Sequence, residues 1–192
     1  MATEYEWKFR ANAEILSAIG AAFPESGVKF SMETTYYDTP TGTLSARHYT
    51  LRQRLENGES VCTLKTPAGA ARSEFEVRCE DIGEAIPQFP AMGCPKDFAG
   101  LVQEGVTPIC SAKFTRIAKT VVMPEGTVEI ALDEGILIGG GREIPLCEVE
   151  VELKDGDVRF CDLFAKALSA RFGLEKEDKS KFRRALSLYR GE

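Results

Sequence analysis

The sequence predicts a mainly β protein with flanking helices (α+β), organised as a closed eight-stranded antiparallel β-barrel with a charged lumen. Three observations predict it. About eight segments alternate apolar and polar residues with the two-residue period of strands. Hairpin-like turn signals join most of them: Asn57-Gly58, Pro67 to Gly69, Pro124-Glu125-Gly126 and Gly139-Gly140-Gly141. The polar faces are also unusually pure in charge. Glu4, Glu6 and Lys8 share one strand face, as do Arg52 and Arg54, Glu74, Glu76 and Arg78, and Glu148, Glu150 and Glu152. One such strand would be a solvated edge; several suggest charged faces meeting across a lumen, with the apolar faces turned out toward helices.

In order, the first strand covers residues 3–9, and its outward face carries Tyr5, Trp7 and Phe9. Asn12 is a candidate N-cap for a helix to about Ala22, with Ile15, Leu16, Ile19 and Phe23 at helical spacing and Pro24 as its stop. Strands follow at about Gly27–Asp38, Thr50–Glu56, Glu59–Thr66 and Arg72–Cys79. The pattern then loosens into short helical pieces at Ile82–Ile86 and Asp97–Gln103, broken by Pro87, Pro90 and Pro95. A long strand is expected at Ile109–Met123, and further strands at Thr127–Asp133 and Arg142–Lys154. An amphipathic helix over 157–172 ends at Gly173, and a last helix is expected from Asp178 to Tyr189. The triple glycine reads as a turn rather than a phosphate cradle, because no helix follows it.

At 192 residues, with no composition shift that would mark a linker, the whole chain (1–192) is expected to form one domain. Its 43% hydrophobic and 28% charged residues exclude a disordered chain. No apolar run is long enough to span a bilayer, and the first residues lack a signal-peptide pattern, so no membrane partner and a cytoplasmic location are expected. A net charge of −6 argues against a nucleic-acid partner held by bulk electrostatics. The six cysteines form no C-x-x-C pair, and His48 is the only histidine, so a zinc site is not expected and the thiols are expected to stay reduced.

The charged stripes carry the chemistry. Burying so many ions against one another costs several kcal/mol per ion before compensation, so architecture alone explains them poorly. Carboxylates clustered without His or Cys suit a hard cation, Mg2+ or Mn2+. Guanidinium and ammonium groups suit phosphoryl oxygens. Together they point to a dense small-molecule polyanion such as tripolyphosphate or a nucleoside triphosphate. Like charges crowded at Glu148, Glu150 and Glu152 also disfavour one another's ionised forms, so Glu150→Gln is expected to cost no stability in the metal-free protein.

Glu4-x-Glu6-x-Lys8 resembles the signature of the CYTH domain, or triphosphate tunnel metalloenzyme superfamily. Further matches run in family order through Tyr36-Tyr37-Asp38-Thr39-Pro40, Leu51-Arg52-x-Arg54, Thr63-Leu64-Lys65, Arg72-x-Glu74-x-Glu76, Phe114-x-Arg116, Glu129 to Asp133, Glu148-x-Glu150-x-Glu152 and Ser180-Lys181. The run from Cys147 to Gly156 resembles the bacterial inorganic triphosphatase branch. The resemblance implies a tunnel with the triphosphate lying along its lumen. It implies that Lys8, Arg52, Arg54, Lys65, Lys113, Arg116 and Lys181 hold phosphates, with Arg78 and Lys179 as further cationic candidates. It implies that Glu4, Glu6, Glu148, Glu150 and Glu152, with Asp133, Glu74 and Glu76, hold or orient one or two divalent ions. It also implies a lysine–tyrosine pair assisting water, here Lys8 with Tyr36 or Tyr37. Lys113 and Arg116 differ in strand parity, so a bulge is needed or one of them points outward. The expected activity is metal-dependent hydrolysis of tripolyphosphate to pyrophosphate and phosphate. The alternatives are an adenylate cyclase of the same fold, a thiamine triphosphatase, or a non-catalytic polyphosphate-binding module. The oligomeric state is left open.

Overall fold

The alternating segments form nine strands among residues 5–68 and 71–192, the residues that the computed structural model describes. Glu4 lies outside them. The elements are β1 (Glu6–Arg10), α1 (Ala13–Ala22), β2 (Val28–Asp38), α2 (Thr43–Ala46), β3 (Thr50–Glu56), β4 (Glu59–Ala68), β5 (Ala71–Arg78), α3 (Ile82–Ala85), α4 (Phe98–Leu101), β6 (Thr107–Met123), β7 (Gly126–Gly139), β8 (Arg142–Gly156), α5 (Val158–Phe172), β9 (Glu175–Lys176) and α6 (Lys181–Arg190). Side-chain caps set the helix starts. Asn12 Oδ1 accepts from the Ile15 amide at 2.8 Å, and Asp157 Oδ1 from the Arg159 amide at 2.7 Å. Lys119 closes the far end of α1 by donating to the carbonyls of Phe23 and Glu25, each at 2.8 Å. The last helix starts later than the sequence suggests. Ser180 is its N-cap, accepting from the Arg183 amide at 3.2 Å, which makes Lys181 the first helical residue and leaves Lys179 ahead of the helix. No helix among the described residues is long and apolar enough to cross a membrane.

Every ladder is antiparallel, in the order β5-β4-β3-β2-β6-β7-β8-β1-β9. Among the described residues the expected closure is not made by hydrogen bonds: the ladder ends at β5 on one side and at the two-residue β9 on the other. The sheet nonetheless curls, because Glu74 of β5 and Glu6 of β1 line one cavity.

Strand alternation separates two faces. On the convex face, α1 and α5 cover Phe9, Ile130, Val149 and Val151, and the α2–α4 region covers Leu51, Leu64 and Phe75. The concave face is not uniformly charged, contrary to the sequence reading. Along β8 it passes from Leu146 to Glu148, Glu150 and Glu152, and along β7 from Leu137 to Asp133 and Glu129. The apolar end is covered by α6, whose Phe182, Ala185 and Leu186 pack on Met32, Tyr36, Ala112, Phe114, Leu137 and Leu146. One helix therefore lies inside the curl. Gly139 permits it, since a Cβ there would stand 2.4 Å from the Ala185 carbonyl oxygen and 2.7 Å from the Tyr189 amide.

Candidate active site

The charged half of the concave face bounds a cavity of about 400 Å³. It is lined by β1 (Glu6, Lys8), β3 (Thr50, Arg52, Arg54), β4 and β5 (Lys65, Arg72, Glu74), β8 (Glu150, Glu152) and the start of α6. A second cavity of about 350 Å³ shares Arg52 and Arg54 and reaches Thr63, Glu76 and Arg78. Register explains the grouping: Arg52 pairs with Thr63 and Thr63 with Glu76, while Thr50 pairs with Lys65 and Lys65 with Glu74.

The cations fall into two kinds. Lys181, 7% exposed, contacts Glu148, and also Asp133 and Glu150, each at 2.8 Å. Arg116 meets Asp133 through Nε at 2.8 Å and Nη2 at 2.7 Å, and Glu150 at 2.5 Å. Burial opposes both charges, but the carboxylates outweigh it and raise both pKa values far above their ordinary range. Lys8 stands 2.5 Å from Glu6, and Lys65 is bridged to Glu74. Burial works against the Lys8 ammonium as well, yet Glu6 and Glu150 hold its pKa above the ordinary value. Arg52 and Arg54 differ from all of these. Among the described residues neither pairs with a carboxylate; Arg54 Nε donates only to Thr34 Oγ1 at 3.3 Å, and the buried Arg52 Nε has no partner. Burial and the neighbouring Arg52 push the Arg54 pKa down to about 10.

The carboxylates divide similarly. Asp133, Glu148 and Glu150 are buried with oxygens within 4.8 Å of one another, close enough to hold a metal ion. Lys181, Arg116 and Arg184 already match those three charges. Burial raises the Glu148 pKa to about 7; burial would raise that of Glu150 too, but Lys181, Arg116 and Lys8 hold it well below the ordinary value. A different row, Glu129, Glu152 and Glu6, stands in register across β7, β8 and β1, with Lys154 2.8 Å from Glu152. Like charges directly opposite on neighbouring strands repel, a cost that a divalent ion would relieve.

Several expected residues lie elsewhere. Lys113 points to the convex side and pairs with Glu33 at 3.1 Å, both side chains more than half exposed; no bulge intervenes to bring it in beside Arg116. Lys179 is exposed and lines neither cavity. Arg78 sits at the rim of the second cavity, 84% exposed and 3.4 Å from Glu59. Glu76 lines that second cavity and accepts from Thr63 at 3.2 Å. Tyr36 faces the first cavity, 3% exposed with its ring centroid 5.0 Å from that of Phe182, whereas Tyr37 faces away and donates to Gln53 Oε1 at 3.2 Å. Burial raises the Tyr36 pKa, so its hydroxyl keeps its proton. Arg72, Arg183 and Arg184 were absent from the expected set. Arg72 stood in a matched motif, but the other two sit on a helix whose approach to the sheet has no sequence signal.

A model of the CYTH domain matches residues 2–186. The chain belongs to the CYTH domain family. It is 32% identical over 157 residues to an inorganic triphosphatase from Haemophilus influenzae, covering 76% of this chain. It spans 44% of that relative's length. The fold of this CYTH chain is shared with the PH1819 protein from Pyrococcus horikoshii OT3, at TM-score 0.64 and 26% identity over 96% of this chain and 98% of that one. It is shared too with a Hippeastrum protein provisionally assigned as an adenylyl cyclase and found to have a dominant triphosphatase activity. That match has TM-score 0.66 and 17% identity, covering 98% and 95% of the two chains.

Proposed function

We propose that this CYTH protein is a divalent-metal-dependent inorganic triphosphatase, releasing phosphate from tripolyphosphate and leaving pyrophosphate. The observation that carries the reading is the pair Arg52 and Arg54, two guanidiniums on one strand face of the cavity that have no carboxylate partner among the described residues. Such a pair needs a polyanion. Glu6 and Glu152, partly accessible at 28% and 23%, with Glu150 beside them, would hold Mg2+ or Mn2+. When bound, the ion supplies Lewis acidity to the phosphoryl oxygens. The protein's own part is positioning and charge neutralisation, which dominate phosphoryl transfer. Arg52 and Arg54 grip the chain from one wall. Lys8 stays protonated and offers N–H donors to the transferring group, and the Tyr36 hydroxyl donates from beneath. Water is the nucleophile, and hydrolysis leaves the shorter polyanion on the arginines.

The cyclase alternative has less support. The aromatic side chains lining the first cavity are Tyr36 and Phe182, which pack against each other and are buried, leaving little ring surface for a nucleobase. The test is phosphate release from tripolyphosphate, ATP and thiamine triphosphate with Mg2+ or Mn2+, alongside a cyclic AMP assay. Tripolyphosphate is expected to be the best substrate, and EDTA to abolish turnover. Full activity in EDTA, or cyclic AMP as the main product from ATP, would refute the reading.

A further inference from the structure

Arg184 lies outside the residues lining either cavity, yet it is tied to the site at two points. It follows Lys181 by three positions on α6, so the two side chains share a helix face. They divide one carboxylate between them: Lys181 takes Glu148 Oε1, and Arg184 Nη2 donates to Glu148 Oε2 at 2.5 Å. The other end of the Arg184 guanidinium is 3.6 Å from Glu177, which is 5% exposed and accepts from Arg10 Nε at 2.8 Å. The Glu177 amide donates to the Lys8 carbonyl at 2.8 Å. One chain of contacts thus joins α6, β8 and the strand that carries Lys8. Within it, Asp133, Glu148, Glu150 and Glu177 are matched by Arg10, Arg116, Lys181 and Arg184.

We propose that Arg184 is a positioning residue for the polyanion site, holding Glu148 so that the wall facing the ligand is neutral. The inference rests on the reading that the cavity binds a triphosphate. Without Arg184, Glu148 keeps one cation instead of two. The wall gains a net negative charge beside the incoming phosphates.

The test uses the full chain with Mn2+, reading kcat and KM for tripolyphosphate and the melting shift that tripolyphosphate produces. Arg184→Ala is expected to raise KM at least tenfold while kcat changes less than threefold. Arg184→Lys, which keeps the charge, is expected to stay within threefold of the wild-type KM. The deciding variant is the double substitution Glu148→Gln with Arg184→Ala. It removes one charge of each sign and is expected to recover most of the lost affinity. A merely structural Arg184 would lower the melting temperature in both variants with no recovery of KM. Should Arg184→Ala fail to fold, Arg184→Gln makes the same charge change while keeping most of the stem. An unchanged KM in the alanine variant, or no recovery in the double, overturns the proposal. If the wild type binds tripolyphosphate without cleaving it, the triphosphatase reading fails alone, and the melting shift decides Arg184 by the same pattern. A wild type that shows neither turnover nor a melting shift overturns both.

Discussion

On the β3 wall of the cavity, Arg52 and Arg54 share one strand face and have no carboxylate partner among the described residues. On the wall made by β7, β8 and α6, Lys181 alone contacts three carboxylates. The chemical groups are similar, but the states differ. A matched cation has its ligand already and contributes to holding α6 inside the sheet. An unmatched one carries a desolvation cost that a bound polyanion repays, so it is kept for binding rather than for stability. The falling pKa of Arg54 and the rising pKa of Lys181 are the same contrast seen through proton affinity.

Three measurements would break or sharpen that contrast. The largest effect is expected from Lys181→Met, which leaves Asp133, Glu148 and Glu150 short of a cation. Breaking a buried ion network of this kind costs about 3–5 kcal/mol, and the melting temperature should fall by about 10 °C. A melting point within two or three degrees of wild type would show the α6 wall to be no more structural than the β3 wall. Next come Arg52→Ala and Arg54→Ala, each expected to lower kcat/KM at least tenfold, about 1.4 kcal/mol. Both should melt at or slightly above wild type, because each removes an uncompensated charge. An unaltered kcat/KM in the pair would place the ligand elsewhere.

The third measurement is Glu150→Gln, where the structure reverses the sign expected from sequence. Glu150 accepts from Arg116 at 2.5 Å and from Lys181 at 2.8 Å, so neutralising it loses charged hydrogen bonds worth about 2 kcal/mol instead of relieving repulsion. Its carboxyl titrates below the ordinary 4.5, so its contribution is present above that pH and fades as pH falls through the lower folded-state value. The variant should therefore melt lower than wild type at neutral pH, and the gap should narrow in acid. Equal melting at neutral pH would restore the repulsion argument.

Which residues share a face was legible in the sequence, because a strand's two-residue period is a local property. Arg52 with Arg54, and Glu148 with Glu150 and Glu152, needed nothing more. The same rule set Arg116 and Lys113 on opposite faces, and the structure shows which of them turns inward. The antiparallel order likewise followed from turns such as Asn57-Gly58, where both residues take positive φ. What the sequence by itself determined was therefore the strand set, its inward charges and the family motifs. Only the tertiary structure decided where α6 lies, and with it the burial of Tyr36 under Phe182 and the partners of Lys181 and Arg184. Those depend on packing between segments more than a hundred residues apart, such as Tyr36 with Phe182, and no local periodicity encodes which face a helix will cover. For the same reason, whether Glu148 and Glu150 are repelled or matched could not be read along β8: their ion-pair partners come from β6 and α6, and only the fold brings them there.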